Sequence, residues 1–418
     1  MLRLFFCCLG LFLSQSIWAA PADETERVFT DYKDNIVQVR MLDQASASKA
    51  SIGSGFLVDR QGFIITNFHV IAELVHKPGQ YRAEYLFEDG RSGKLELLDI
   101  DVVHDLALLK MDVAADRFLA ISTQEPAKGE RLFSLGNPHD LGLTIVEGTY
   151  NGQLEKSLYE RIHFTGSINP GMSGGPTINR NGVVVGVNVA SAGNQLGFLV
   201  PATYVNRLLA RTHDGQAKPD FTALMGEQLL ANQDNYMTAL LAKPFAEVRM
   251  EPLSVPGRLA YFLNCWGDTR KREDELYELV HYSCATSDDI FLSDQQTSGV
   301  IRYSHALYNS KGLGPIRFFS LLEQNFQTER LRLRSDEDMV TNYECNSDFV
   351  THDTLRSKVV FCLRAYKKLP GLYDAALMAA VFTDDQQMLQ TNLLLAGVSY
   401  ESATRFPQAY LETIRWTP

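Results

Sequence analysis

Cysteine is absent between Cys8 and Cys265, and basic residues are in deficit, with 39 Lys and Arg against 50 Asp and Glu for a net charge of −11. That balance excludes a general nucleic-acid binder, which needs a basic surface for phosphates. No block of like charges is long enough to form a tail, and beyond the N-terminus no apolar run is long enough to span a bilayer. Neither Cys-x-x-Cys nor His-Glu-x-x-His occurs, so dithiol redox chemistry and a helix-borne zinc site are excluded and no metal or cofactor is expected. His104, His139, His163 and His213 lack ligand spacing and read as solvated loop histidines. What is present is ordinary for a globular protein: 418 residues, 45% hydrophobic and 21% charged, enough for two or three domains.

The first residues read as an export leader. Met1-Leu2-Arg3 is a short positive start, residues 4–13 are an apolar core, and residues 14–22 are rich in small side chains. Cleavage after Ala19, Ala20 or Ala22 fits, with Pro21 disfavouring the position after Ala20; the leader is assigned to residues 1–20. The apolar core is too short for a membrane anchor, and no small-residue-Cys lipoprotein site stands there. Cys7 and Cys8 leave with the leader, so Cys265, Cys284, Cys345 and Cys362 remain. An even number in an exported chain predicts disulfides and an oxidising compartment, periplasmic or extracellular. Pairing across two hairpins would join Cys265 to Cys284 and Cys345 to Cys362, although spacing alone leaves three connectivities open.

From residue 36 to residue 200 short apolar stretches recur between turn residues, a rhythm that predicts an all-β barrel or sandwich. A closing helix is expected over 202–212. The polar run 214–220 reads as a linker between a first domain, 21–213, and a C-terminal domain, 221–418. That second domain is expected to be mixed α+β, with helices over 222–230, 235–242, 313–327, 373–381 and 385–398 and strands near the cysteines.

Within the first domain, Ser173 sits in Gly171-Met172-Ser173-Gly174-Gly175-Pro176. Glycines beside a serine allow a tight turn and close approach of a scissile carbonyl, and the N–H groups before and at the serine can converge on an oxyanion. Such a run alone is common in loops. A lone His69 after an apolar strand, or Asp105 before one, is by itself more often structural. Together, in the order His, Asp, Ser, they offer a base, a carboxylate to fix its tautomer and a hydroxyl nucleophile.

Here the chain resembles a known family. Thr66-Asn67-Phe68-His69-Val70, Asp105-Leu106-Ala107-Leu108-Leu109, Leu135-Gly136-Asn137-Pro138, the Ser173 loop and Gly197-Phe198-Leu199-Val200-Pro201 resemble the trypsin-like serine proteases, most of all the bacterial HtrA/Deg type. The resemblance covers residues 28–209 and implies two six-stranded β-barrels with the site in the cleft between them. It implies His69, Asp105 and Ser173 as the catalytic triad and the N–H groups of Gly171 and Ser173 as the oxyanion hole. Asn188, Val189 and Ala190 would pair with an extended substrate, and Ser167, Ile168 and Leu196 would line the specificity pocket. No acid stands in that pocket, so uncharged, small or medium apolar residues are expected before the cut.

Met172 departs from the pattern, standing where zymogens of this fold carry Asp and HtrA-type proteins usually carry Asn. Its bulk predicts an oxyanion loop resting in a non-productive form, stiffened further by Pro170. No Gly-Leu-Gly-Phe-type PDZ loop is found in the C-terminal half. The expected function is an exported serine endopeptidase acting on unfolded or extended polypeptide, with an envelope protein as partner through the C-terminal domain; the resemblance leaves oligomerisation open. The rival is a non-catalytic peptide-binding protein that uses the barrels for capture. An α/β-hydrolase is excluded by order, since that family runs Ser, acid, His.

Overall fold

The computed structural model describes residues 23–191, 196–212, 215–271, 275–326, 335–352, 354–383 and 386–417. The expected leader and His213 lie outside the described residues. Helix α1 (Glu24–Tyr32) precedes a closed antiparallel barrel of β1 (Ile36–Asp43), β2 (Lys49–Leu57), β3 (Phe63–Thr66), β4 (Tyr81–Leu86), β5 (Ser92–Asp101) and β6 (Leu106–Met111), with helix α2 (Phe68–His76) inserted after β3. A second closed barrel follows: β7 (Arg131–Gly136), β8 (Thr144–Gln153), β9 (Ile162–Phe164), β10 (Pro176–Ile178), β11 (Val184–Ser191) and β12 (Gly197–Pro201), then helix α3 (Ala202–Arg211). The double six-stranded barrel implied by the motifs is the fold.

Successive side chains on a strand face opposite ways, and here both ways lead to core. Ile64, Ala107 and Leu109 fill the first barrel. Their neighbours Ile65, Leu106 and Leu108 pack between the barrels with Phe133, Leu135, Val187 and the α3 residues Tyr204, Val205 and Leu208. Burial on both faces explains why β3 and β6 read as unbroken apolar runs. The second barrel encloses Leu132, Tyr150, Phe164, Ile168, Met172 and Leu199.

Beyond the barrels, Asp220 caps a 21-residue helix α4 (Phe221–Leu241), accepting from the Ala223 N–H at 2.9 Å. The two helices expected over 222–230 and 235–242 are therefore one. Strands β13 (Glu247–Met250), β14 (Leu253–Pro256), β15 (Leu263–Arg270), β16 (Tyr277–Thr286), β17 (Ile290–Ser293), β18 (Gln296–Ser298) and β19 (Val300–Ser310) follow, then α5 (Pro315–Asn325), β20 (Glu344–His352), β21 (Leu355–Ala365), β22 (Leu372–Phe382), β23 (Gln387–Ser399), α6 (Tyr400–Glu412) and β24 (Arg415–Trp416). Seven of these form one sheet in the order β15-β16-β19-β23-β22-β21-β20, while β17 and β18 pair as a separate hairpin. The stretches 373–381 and 385–398, expected as helices, are the central strands β22 and β23. Their Ala- and Leu-rich composition favours helix, but burial on both faces of the sheet decides for strand.

Cys265 pairs with Cys284 and Cys345 with Cys362, each directly across neighbouring strands with Cα atoms 4.1 and 4.0 Å apart. Helices α4 and α6 cover one face of the sheet through Tyr236, Met237, Leu240, Phe406 and Tyr410. The C-terminal region is not suspended on a loose tether. Gln228 of α4 accepts from the Val102 N–H and donates to the Ile100 carbonyl, both at 2.8 Å. Met225, Leu229, Ile290, Leu292 and Tyr366 bury in one cluster with Val37, Ile64 and Leu109 of the first barrel. No described helix is long and apolar enough to cross a membrane.

Candidate active site

His69 is the second residue of α2, whose start is fixed by β3 ending at Thr66. Asp105 occupies the turn between β5 and β6 with φ +59°, a left-handed conformation that Asp tolerates better than most residues. That turn aims the carboxylate at α2: Oδ1 accepts the His69 backbone N–H at 2.9 Å and Oδ2 meets His69 Nδ1 at 2.7 Å. Asn67 Nδ2 donates to the Asp105 carbonyl at 2.7 Å, bracing the same turn. The acid is buried, while the imidazole keeps 28% side-chain exposure. Burial disfavours charge on His69, but the charge and hydrogen bond of Asp105, with Asp294 from the β17–β18 turn, outweigh it and raise the pKa above its ordinary 6.5.

Ser173 lies in the loop before β10. A Cβ at Gly53 would stand 2.5 Å from a Val70 methyl and 3.1 Å from the Ser173 carbonyl oxygen, so this glycine lets the serine loop and α2 close around one point. The Ser54 N–H donates to the Ser173 carbonyl at 2.8 Å, and Ser54 Oγ donates to the Gly171 carbonyl at 2.7 Å while accepting from the Asn137 N–H. Ser173 Oγ rests on the Val189 carbonyl at 3.4 Å, and among the described residues no hydrogen bond joins it to His69.

The bulk of Met172 is taken up inside the second barrel. Met172 is fully buried among Leu132, Phe164, Ile168 and Leu199, a burial that contributes about 2 kcal/mol. Gly136 makes room for it: a Cβ there would stand 3.0 Å from that of Met172. The Met172 N–H closes a turn on the Asn169 carbonyl at 3.0 Å and the Pro170 carbonyl accepts from His139 at 2.9 Å. Gly171 takes φ +96°, and a side chain there would collide with the Asn137 carbonyl. Among the described residues no acceptor meets the N–H of Gly171 or of Ser173. These two donors, one on either side of Met172, thus have no internal partner among the described residues.

The expected substrate-contacting residues separate. Asn188 does not face a substrate. Its side chain accepts from Ser134 Oγ and Thr177 Oγ1 and donates to the Leu135 and Met172 carbonyls, while its backbone is bonded both ways to Gly174 and Gly175. It braces the serine loop because all its polar groups are engaged inside the chain. Val189 follows at the surface, half-buried, and the Ala190 backbone pairs with Phe198 beyond a bulge. Ile168 is buried against Gly197, while Ser167 and Leu196 are half-buried. His104 is not a solvated loop residue either: it bonds Asp101 at 2.9 Å and stacks on Tyr204 at 3.6 Å between centroids.

Two neighbours of the site carried no sequence signal. Phe291 of β17 stands edge-on to the His69 ring at 5.8 Å between centroids, and Asp294 lies on the adjoining turn.

Two closed barrels with a His–Asp pair and a glycine-flanked serine on adjoining loops form the arrangement expected of a double-barrel serine protease domain. Residues 53–187 match the family model of the trypsin-like peptidase domain. Similar proteins include the serine protease HTRA1B of Danio rerio, 31% identical over 176 residues, which are 40% of this chain and 36% of that protein. A probable periplasmic serine endoprotease, DegP-like, of Chlamydia trachomatis is 28% identical over 181 residues, covering 40% of this chain and 35% of its own length. A solved serine endoprotease from Yersinia pestis is similar at 25% identity and a TM-score of 0.41, covering 47% of this chain and 70% of that one. The chain thus spans little more than a third of the length of the curated relatives it matches.

Proposed function

We propose that this chain is an exported serine endopeptidase that cleaves unfolded or extended polypeptide segments. The observation that carries this reading is the doubly bonded His69–Asp105 pair facing a serine loop whose Gly171 and Ser173 N–H groups have no acceptor of their own among the described residues. In the reaction, Ser173 Oγ turns from the Val189 carbonyl toward His69, which takes its proton as Oγ attacks the peptide carbonyl. Asp105 holds the imidazole in the tautomer with Nδ1 protonated and stabilises the imidazolium. The oxyanion is received by the N–H groups of Gly171 and Ser173, each donor contributing about 3 kcal/mol to the transition state. His69 then protonates the leaving amine, and water repeats the sequence on the acyl-enzyme.

An extended substrate would pair with the Val189–Ala190 backbone, a strand addition in which Asn188 serves only as brace. Ser167, Ile168 and Leu196 present no carboxylate, which supports uncharged small or medium apolar residues before the cut. Export, with the periplasm as destination, is supported by the leader-like start and by two disulfides, which persist in oxidising compartments. A DegP-like relative described as periplasmic agrees with this.

The rest position of Ser173 Oγ on Val189 favours a second reading, a peptide-capturing protein that does not turn over. Cleavage of a reduced, unfolded casein-type substrate separates the two. The full chain cleaving it and the Ser173→Ala form failing to is the expected result; binding without cleavage by both forms supports capture.

A further inference from the structure

One piece of chain beside His69 arrives from the C-terminal region. It is the hairpin β17–β18. Ile290 and Leu292 bury in the cluster that holds Phe68, Val70 and Ile71 of the His69 helix and its start, and His76 Nε2 bonds the Leu292 carbonyl at 2.6 Å. Phe291, between them on the strand, lies at the margin of that cluster with its ring edge-on to the imidazole. It is half-buried and leaves His69 partly open, so it flanks the base without capping it.

The hairpin is held from both ends. Asp288, just before it, accepts from Ser157 Oγ of the second barrel at 2.5 Å. Gln296 Nε2 donates to the Tyr366 hydroxyl at 3.1 Å, and that hydroxyl donates to Asp374 Oδ1 at 2.8 Å. Asp374 is in turn paired with Arg364 at 2.7 Å inside the sheet. A wall tied to a buried ion pair and to both barrels keeps its place beside the base.

The leaving amine must come within hydrogen-bond reach of His69 to take its proton. A ring 5.8 Å from the imidazole centroid therefore meets a substrate residue that flanks the cut. We propose that Phe291 is a specificity-determining wall of the peptide cleft, limiting the size of a substrate side chain flanking the scissile bond, and that the exposed carboxylate of Asp294 on the same turn disfavours an acidic one. The peptidase reading underlies this assignment. The C-terminal region is then part of the cleft rather than an appendage. Asp294 adds to Asp105 in raising the pKa of His69, in keeping with its place on the turn that follows Phe291.

The test uses the full chain and a peptide panel varied one residue at a time on each side of the cut. Phe291→Ala is expected to raise kcat/KM for Phe- and Trp-bearing peptides about tenfold relative to Ala-bearing ones at one flanking position. Phe291→Leu, which keeps the apolar contact with α2, falls between. Asp294→Asn should relieve discrimination against Glu at the same position and move the acidic limb of the kcat/KM profile to lower pH. Each substitution is repeated in the Ser173→Ala form, read as peptide affinity, where the same reordering is expected. Profiles superimposable on the parent, or a loss of rate uniform across the panel, would overturn the assignment. If the parent cleaves nothing, the peptidase reading fails, and the affinity profiles of the Ser173→Ala forms still decide the wall.

Discussion

The two barrels and the C-terminal sheet are both antiparallel β structures, yet they treat their edges in opposite ways. Each barrel closes on itself, so no strand is left with an unpaired side, and neither barrel contains a cysteine. The seven-stranded sheet stays open, ending in β15 on one side and β20 on the other. Those edge strands bury little: β20 is exposed along nearly its whole length and β15 beyond its first residues. Both disulfides sit there, tying each edge strand to its inner neighbour. Closure supplies through hydrogen bonds and core what the open sheet gains from covalent links where apolar burial is missing. The absence of cysteine from both barrels and its clustering from Cys265 onward follow from this contrast.

The contrast can be broken first at the site. Ser173→Ala should lower kcat on unfolded casein by about 10⁴-fold or more while leaving thermal unfolding of the full chain in place. Asp105→Asn should lower kcat by a comparable factor of about 10⁴, because the imidazole loses the partner that fixes its tautomer. Next in size, Asp374→Ala strands Arg364 inside the sheet with no counter-charge. A cost of about 3–5 kcal/mol is expected, read by urea unfolding, and it should fall on the C-terminal sheet rather than the barrels.

Replacing Cys345 and Cys362 by Ser opens a loop of sequence separation 17 and should cost about 3 kcal/mol, again with the barrels' own transition unmoved. The most gradual effect is on pH. His305 is fully buried between the Pro256 carbonyl and Thr391, and burial lowers its pKa from 6.5 to about 3. Between those values the unfolded chain binds the proton and the folded chain does not. Its contribution is therefore complete above pH 6.5 and is lost on acidification toward pH 3, at up to about 1.4 kcal/mol per unit. Unfolding midpoints measured across that interval, compared with a His305→Gln form, check the slope.

Much of the protease half was legible because its signals are local. His69, Asp105 and Ser173 each stand in a short motif whose turn and strand context is written in adjacent residues, and the unbroken apolar runs of β3 and β6 announce strands buried on both faces. Where the bulk of Met172 goes is not visible in sequence: the space for it comes from Gly136 on β7. The bracing by Asn188 is hidden for the same reason, since its four partners come from separate strands and the serine loop. In the C-terminal half, residues such as Ala375 to Ala380 favour helix by composition, and only their central place in the sheet makes them strand. Phe291 carries no motif at all. Its relation to His69 exists only through the packing of one region on the other.

The central claim, an activated serine served by His69, is tested most directly by a fluorophosphonate probe, which reacts covalently with a serine only when a base and oxyanion donors are in place. The full chain should be labelled stoichiometrically at Ser173, with labelling abolished in Ser173→Ala and reduced by orders of magnitude in His69→Ala. No labelling of the parent chain, or equal labelling of the parent and His69→Ala forms, would contradict the account.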